Sequence, residues 1–502
     1  MKPINAIIKW YLSKRQSQID FFIKNPIETQ QKVFKQLITA AAKTEWGKKY
    51  DFASIKNHND FINRIPVQDY ETLKPYIERM MNGEQNILWN TEIGWFAKSS
   101  GTTNDKSKFI PVSIESLDEC HFKAGKDVMA LYINQKNDTE IFSGKGLVMG
   151  GSHQINPLNE HVKYGDVSAV MLQNMPFLGQ YLKTPPLEIA LMSDWEEKLE
   201  KIIDTTLHEN ITHLVGVPTW TLVLINEILK RTGKQHLLEV WNNLELYIHG
   251  GVSFTPYREQ FKNLIPSTKM QYMETYNASE GFFGVQNEFD KDDMLLMLDY
   301  GIFYEFIPLE NIGDEHPKAI SLEDIEIGKN YAMLISTNGG LWRYTIGDTV
   351  KFTSKYPFKI KITGRTKQFI NVFGEELMVD NTDKALAIAC SKTGAIVKDY
   401  TVAPVFISAG EKGGHEWIIE FQQAPSNIEN FSAELDTALQ SLNSDYEAKR
   451  FKDIALTTPT IHVVPEQTFY NWMKQRGKLG GQHKVPRLSN NRTYVEEILA
   501  ML

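Results

Sequence analysis

The run from Asp194 to Gly251 decides the architecture: DWEEKLEKIIDTTLHEN (194–210), ITHLVGV (211–217), TLVLINEILKRTG (221–233) and LELYIHGG (244–251). The first and third pieces read as helices, the second and fourth as short apolar strands. GKGLVMGG (144–151) adds a strand of the same kind upstream. Strands that alternate with helices return in the same direction, so the reading is an α/β fold with a largely parallel sheet. Leu214 to Leu229 is the most apolar window, but Pro218, Thr219, Asn226 and Glu227 interrupt it. It falls short of the ~18 to 20 apolar residues a membrane span needs and is read as a core helix with a proline near its start.

Outward from this region the texture changes in both directions. Residues 2–48 repeat apolar residues at three- and four-residue spacing (Ile7, Ile8, Tyr11, Phe21, Phe22, Val33, Phe34, Leu37), which predicts helices with one buried face, separated at Pro26. From Met294 the chain is strand-rich: MLLMLDYGIFYEFIP, NYAMLIST, GLWRYTIGDTVKF and FKIKITGR, punctuated by Asn, Gly and Asp. That pattern predicts antiparallel strands or a small β-barrel-like subdomain attached to the first domain. Helical patterns near Val379–Lys392 and Ile428–Leu442, flanked by VAPVFIS and GHEWIIEF, predict a small α+β domain at the C-terminal end.

A length of 502 residues exceeds what one core supports, so at least two domains are expected. With 54 basic and 62 acidic residues, net charge -8 and no long basic run, nothing marks a nucleic-acid partner. The N-terminal MKPINAIIKWYLSKRQ carries lysines inside its apolar stretch and lacks a small-residue cleavage site, which predicts an amphipathic helix and a cytoplasmic protein without a membrane partner. Two distant cysteines, Cys120 and Cys390, fit a reducing compartment. A monomer is the expectation.

Three segments have the composition of nucleotide chemistry. SSGTTNDKSKFIP (99–111) offers hydroxyls, glycine-accessible backbone N–H groups and Lys106 and Lys108, the donors a polyphosphate demands at close range. It follows the apolar IGWFA directly, the order strand, loop, element of a phosphate site, and it is not a Walker A sequence. YNASEG (276–281) places a stackable tyrosine four residues before a glutamate able to ligate Mg²⁺. WRYTIGD (342–348) places an aspartate after a glycine at an expected strand end, where it can accept from ribose hydroxyls. Each alone is better read as a solvated loop or turn.

Together, in this order, the three resemble the nucleotide motifs of the Gretchen Hagen type acyl acid amido synthetases, the auxin-responsive promoter family, a branch of the adenylate-forming superfamily that includes acyl-CoA ligases and luciferases. The resemblance runs from TEWGKKY (44–50) to GQHKVPRL (481–488). It implies an N-terminal ATP and acyl-binding domain over 1–366 and a mobile C-terminal lid over 367–502, hinged near Lys367 in GRTK. It implies that Ser99, Ser100, Gly101, Thr102, Thr103 and Lys108 hold ATP phosphates, and that Gly250, Gly251, Val252 and Ser253 flank the adenine. Tyr276 would cover the ring within Asn277, Ala278 and Ser279, Glu280 would serve Mg²⁺ and catalysis, Asp348 the ribose, and Arg365 would lie near the nucleotide. Lys484 resembles the lysine that the C-terminal domain delivers to the reacting phosphate.

The helix after the loop, about Ile114 to Leu131, would line the acyl pocket through Cys120, Ala124 and Asp127. Plant members commonly carry a basic residue where Asp127 stands, so a second carboxylate on the substrate is disfavoured. The family loop usually has Gly-Gly or Gly-Lys where this chain has Asn104 and Asp105.

The activity implied is ATP- and Mg²⁺-dependent adenylation of a small carboxylic acid, then acyl transfer to an amine, that of an amino acid in the resembled family. The alternatives are an AMP-forming acyl-CoA ligase and a nucleotide-binding protein that has lost turnover. No residue identifies itself as the base: His153, His213, His249 and His483 lie near the motifs, and each reads as structural.

Overall fold

A computed structural model describes residues 2–502 apart from 100–107, 151–155, 193, 253, 313, 315, 367–368, 371, 373–374, 376, 407–412, 451–455 and 480–483. The chain divides into two compact units: Met1–Gly251 with Ser267–Ile346 and Val350–Lys361, and Val252–Pro266 with Gly347–Thr349 and Ile362–Leu502.

The first unit is built on the strand–helix alternation that opened the reading. Strands Lys145–Val148, Ile211–Gly216, Leu246–Gly250 and Gln271–Ala278 pair in parallel, with the short Lys183–Thr184 strand parallel at the edge. Their buried residues sit on both faces, as a sheet covered by crossover helices requires. The crossover Pro218–Thr232 begins with Pro218, whose missing N–H belongs to the unbonded first turn, and ends where Gly233 takes φ 66°. The most apolar window is therefore the end of one strand plus this helix. Among the described residues no helix is long and apolar enough to cross a membrane.

The strand-rich segment extends this sheet. After Gln271–Ala278 the pairing turns antiparallel through Gly281–Val285 and Met294–Leu296 to Phe358–Arg365. Tyr344–Lys355, Asn330–Thr337, Ile302–Pro308 and Ile320–Ser321 follow, and the hydrogen-bonded order runs through twelve strands. A second sheet has the order 108–112, 95–99, 163–165, 156–157. Two N-terminal helices, Lys2–Lys24 and Pro26–Ala41, meet at Pro26, the first residue of the second.

The second unit has a three-stranded sheet in which Ile396–Val405 pairs antiparallel with Gly414–Gln423 and the latter parallel with Thr460–Val464. Helices Val379–Thr393 and Ile428–Leu442 bury Ala385, Leu386, Phe431 and Leu435 with Tyr400 and Trp417, whose rings stack at 5.7 Å. This unit starts at Ile362, ahead of the expected residue 367, and takes in 252–266. Gln260 explains that recruitment: its buried amide donates to the Val397 carbonyl at 3.0 Å.

Candidate functional site

In the first unit, Ser99 is the last residue of strand Trp95–Ser99 and faces Lys108, the first of Lys108–Val112. The phosphate-loop residues between them, Ser100, Gly101, Thr102, Thr103, Asn104 and Asp105 among them, lie outside the described residues. The Lys108 ammonium sits 5.7 Å from the Tyr70 ring centroid, and the Tyr70 hydroxyl accepts from the Phe109 N–H at 2.9 Å. After Ser113, whose hydroxyl donates to the Asn338 carbonyl and accepts from the Ser116 N–H, the helix begins with a π-helical stretch, Ser116–Phe122, and becomes α-helical over Lys123–Gln135. Single π turns inside helices recur at functional sites.

That helix packs on the second motif. The Cys120 thiol accepts from the Phe282 N–H at 3.2 Å, at the start of the strand that follows Glu280. Burial raises the thiol pKa to about 12, so it stays protonated. YNASEG itself forms the tip of a hairpin: Ala278 faces Gly281, and Ser279–Glu280 make the turn. Asn277 is exposed, Glu280 and Ala278 are half-buried, and the Tyr276 ring is buried with its centroid 4.8 Å from that of Phe283. Gly250 ends the neighbouring parallel strand opposite Thr275. A Cβ there would come within 2.4 Å of the Thr275 carbonyl oxygen, so only glycine lets these strands approach. Gly251 follows with φ 85°. Both turns lie at the carboxyl ends of parallel strands, where open α/β sheets bind ligands.

The acyl-pocket expectation needs correction. Cys120, Ala124 and Asp127 are 1%, 0% and 0% exposed, and Asp127 is committed elsewhere. Its carboxylate shares the Arg15 Nε–H between both oxygens and accepts one hydrogen bond each from Arg15 Nη2 and the Tyr300 hydroxyl. Arg15 also reaches Asp299, which holds Lys123. An aspartate so neutralised exerts little repulsion on a substrate, and Asp127 is withdrawn as a selector against second carboxylates. Sequence reading missed this network because its members lie 112 and 284 positions apart.

In the second unit the ribose and lysine candidates come together. Asp348 is not at a strand end: Tyr344–Lys355 is one strand, and Gly347 within it takes φ 90°. The Arg365 Nε donates to Asp348 Oδ1 at 2.7 Å, while the Thr366 N–H and hydroxyl donate to the Gly347 carbonyl. Lys484 is close enough to feel both charges. It keeps solvent access at its surface, yet the protein packed around it and then the Arg365 guanidinium lower its pKa to about 8, against the pull of Asp348. Lys367 and Ser253 lie outside the described residues, and Val252 is half-buried.

Arg487, which sequence reading passed over, fixes the segment that carries Lys484. Its guanidinium lies 4.5 Å above the Tyr400 ring, pairs with Asp399, and donates to the Tyr257 hydroxyl at 2.6 Å and the Tyr400 carbonyl at 2.9 Å. The Val402 N–H donates to the Arg487 carbonyl, and Thr401 to that of Pro486, so the segment runs along strand 396–405. Of the four flagged histidines, His213 is buried with a pKa near 4 and His249 is buried, while His153 and His483 lie outside the described residues.

The first unit's sheet, parallel over the strands from 183–184 to 271–278 and continued by antiparallel ones, belongs to an α/β fold shared with solved ligases. Residues 15–270 match the GH3 family N-terminal domain, 295–365 the GH3 family central domain and 380–493 the GH3 family C-terminal domain. The chain belongs to the GH3 family. The indole-3-acetic acid-amido synthetase GH3.4 of Arabidopsis thaliana is 23% identical over 93% of this chain and 90% of its own. The solved GH3.15 acyl acid amido synthetase superposes with a TM-score of 0.78 at 18% identity, covering 97% of this chain and 96% of that one. A 2-hydroxyisobutyryl-CoA ligase, solved in the postadenylation state with 2-HIB-AMP, shares the fold at a TM-score of 0.61 and 12% identity, covering 94% and 91%.

Proposed function

We propose that this chain is an ATP-dependent acyl acid amido synthetase. The observation that carries the reading is the cluster of Asp348, Arg365 and Lys484, in a chain whose relative GH3.4 is an amido synthetase. In this reading Asp348 accepts from the ribose hydroxyls, and Ser99 with the loop after it and Lys108 hold the phosphates. Tyr276 and Gly250–Ser253 flank the base.

A carboxylate oxygen of the acid attacks the α-phosphorus, and pyrophosphate leaves. Negative charge gathers on the oxygens around that phosphorus, where the Lys484 ammonium lowers the barrier electrostatically. The amine then attacks the acyl carbon, AMP departs, and the amine proton passes to solvent.

Glu280, a half-buried carboxylate on a hairpin turn, has the hard oxygen chemistry of a Mg²⁺ ligand. Such an ion would take its remaining ligands from phosphate oxygens and water. Mg²⁺ so held would neutralise phosphate charge. Residues 367–502 act as the lid, hinged near Lys367, that keeps water from the mixed anhydride. The partners are a small carboxylic acid and an amine; the protein acts as a cytoplasmic monomer.

The test is acid-dependent exchange of labelled pyrophosphate into ATP across a panel of acids, followed by product analysis with pooled amino acids and with CoA. Exchange with an amide product is expected, and Lys484→Ala should slow adenylation ~10²-fold or more. A thioester product would favour the acyl-CoA ligase reading, which the fold shared with the 2-hydroxyisobutyryl-CoA ligase keeps in view. Absence of exchange with every acid, with ATP binding intact, would favour a protein that has lost turnover.

A further inference from the structure

The second unit contains a stretch of chain that belongs to it by packing rather than by position. Val252–Pro266 runs between two strands of the first unit's sheet, Leu246–Gly250 and Gln271–Ala278, yet it is built into the second unit. It starts within the Gly250–Ser253 motif proposed to flank the base. A 3₁₀ turn, Thr255–Tyr257, leads into a helix, Arg258–Leu264.

Two side chains tie this stretch down. Gln260 reaches the Val397 carbonyl, as described above, and the Tyr257 hydroxyl accepts from Arg487 Nη2 at 2.6 Å. The other partners of the Arg487 guanidinium are the Asp399 carboxylate, the Tyr400 carbonyl and the Tyr400 ring, all on strand Ile396–Val405. Among the described residues Tyr257 is therefore its one hydrogen-bond partner from outside that strand.

Arg487 stands close to Lys484 in the chain, separated from it by Val485 and Pro486. The Pro486 carbonyl accepts from the Thr401 hydroxyl at 2.6 Å and the Arg487 carbonyl from the Val402 N–H at 2.8 Å. The backbone there is pinned, so the direction in which Lys484 leaves it follows the seating of Arg487. Tyr257 is 1% exposed, and burial raises its pKa, which keeps the phenol protonated. Without that hydroxyl one N–H of a buried guanidinium lacks an acceptor, a state that folded chains relieve by turning the group or admitting water. Tyr257 is too deeply enclosed to meet a substrate, so any effect it has on the reaction passes through its neighbours.

We propose that Tyr257 is a positioning residue for Lys484: its hydroxyl seats Arg487, and Arg487 sets the segment from which the Lys484 ammonium reaches the α-phosphate. The catalytic consequence rests on the adenylation reading, whereas the seating of Lys484 is measurable without it.

The test uses the full chain with Tyr257→Phe, which keeps the ring and removes the hydroxyl alone. Competitive acetylation across pH, read by mass spectrometry of the peptide that carries Lys484, gives the titration midpoint of that amine. In the parent it should lie at about 8, where the protein packed around it and the Arg365 guanidinium place it. In Tyr257→Phe it should move upward by about half a pH unit or more, because a displaced ammonium escapes both influences. Acid-dependent pyrophosphate exchange at saturating ATP should fall about tenfold. In a Lys484→Ala background the same substitution should change exchange by less than about twofold, since a residue that acts through Lys484 has nothing left to act on.

Thermal melting of each variant confirms folding. An unmoved Lys484 midpoint in folded Tyr257→Phe overturns the proposal, and so does an equal loss of exchange with and without Lys484. Absence of exchange in the parent with every acid would overturn the adenylation reading instead, and the labelling midpoint then decides the seating of Lys484 by itself.

Discussion

Lys484 owes its character to neighbours that a local reading does not reveal. With a pKa near 8, its ammonium is present below that pH and lost above it. In the proposed reaction kcat/KM for ATP, which reports the free enzyme, should therefore hold below about pH 8 and fall as pH rises through it. Lys484→Arg should move that alkaline limb upward, since a guanidinium stays charged; an unmoved limb would dissociate the limb from this side chain.

Arg487 offers a second test. Removing its guanidinium strands Asp399, a half-buried carboxylate whose pKa is already raised by the protein packed around it. Arg487→Met should cost about 3 to 5 kcal/mol, read as a lower urea midpoint. Such residues were half legible. The likeness of QHKVPR to the resembled family's C-terminal motif pointed to Lys484, but Arg487 looked like any surface arginine because Asp399, Tyr400 and Tyr257 are far along the chain. Asp127 misled for the same reason, its partner Arg15 lying on the first helix.

Strands and helices were legible where pattern and punctuation agreed. NYAMLIST and Ile428–Leu442 have the expected bounds, the helix because the Asn427 side chain accepts from the Asn430 N–H and stops the preceding loop. WRYTIGD was misread at its end because Gly347, in a left-handed conformation, looks like a turn while sitting inside a twelve-residue strand. The same lesson applies to Gly250, whose side-chain-free surface is what brings the 246–250 and 271–278 strands together beside the second motif. Gly250→Ala drives a methyl into the Thr275 carbonyl. The expected outcome is a loss of about 2 kcal/mol in urea unfolding and weaker ATP binding by equilibrium titration. Unchanged binding would show that the strand junction does not shape the nucleotide site.

For the molecule as a whole, the α/β class followed from the alternation of strands and helices, but the continuity of twelve strands did not, since pairing partners leave no mark on local periodicity. Acid sensitivity is also a property of the whole fold. Burial lowers the pKa of both His121 and His213 from 6.5 to about 4. Between these values the unfolded chain binds protons that the folded chain refuses, so stability falls as pH falls from 6.5 towards 4 and is unaffected by them above 6.5. By pH 4 each contributes a loss of about 3 kcal/mol. Urea midpoints from pH 7 to 4 should show that decline, and His121→Leu should make it shallower; a slope unchanged by that substitution would assign the loss to other groups.

The network around Arg15 can be completed only late in synthesis. Asp299 emerges 284 residues after Arg15, roughly 15 to 60 s later at ordinary elongation rates. Until then the first helix has made only part of its ionic attachment, and Asp127 lacks the hydroxyl of Tyr300. The nascent first helix can settle on the 123–135 helix early, but its ionic attachment is completed only when Asp299 and Tyr300 arrive.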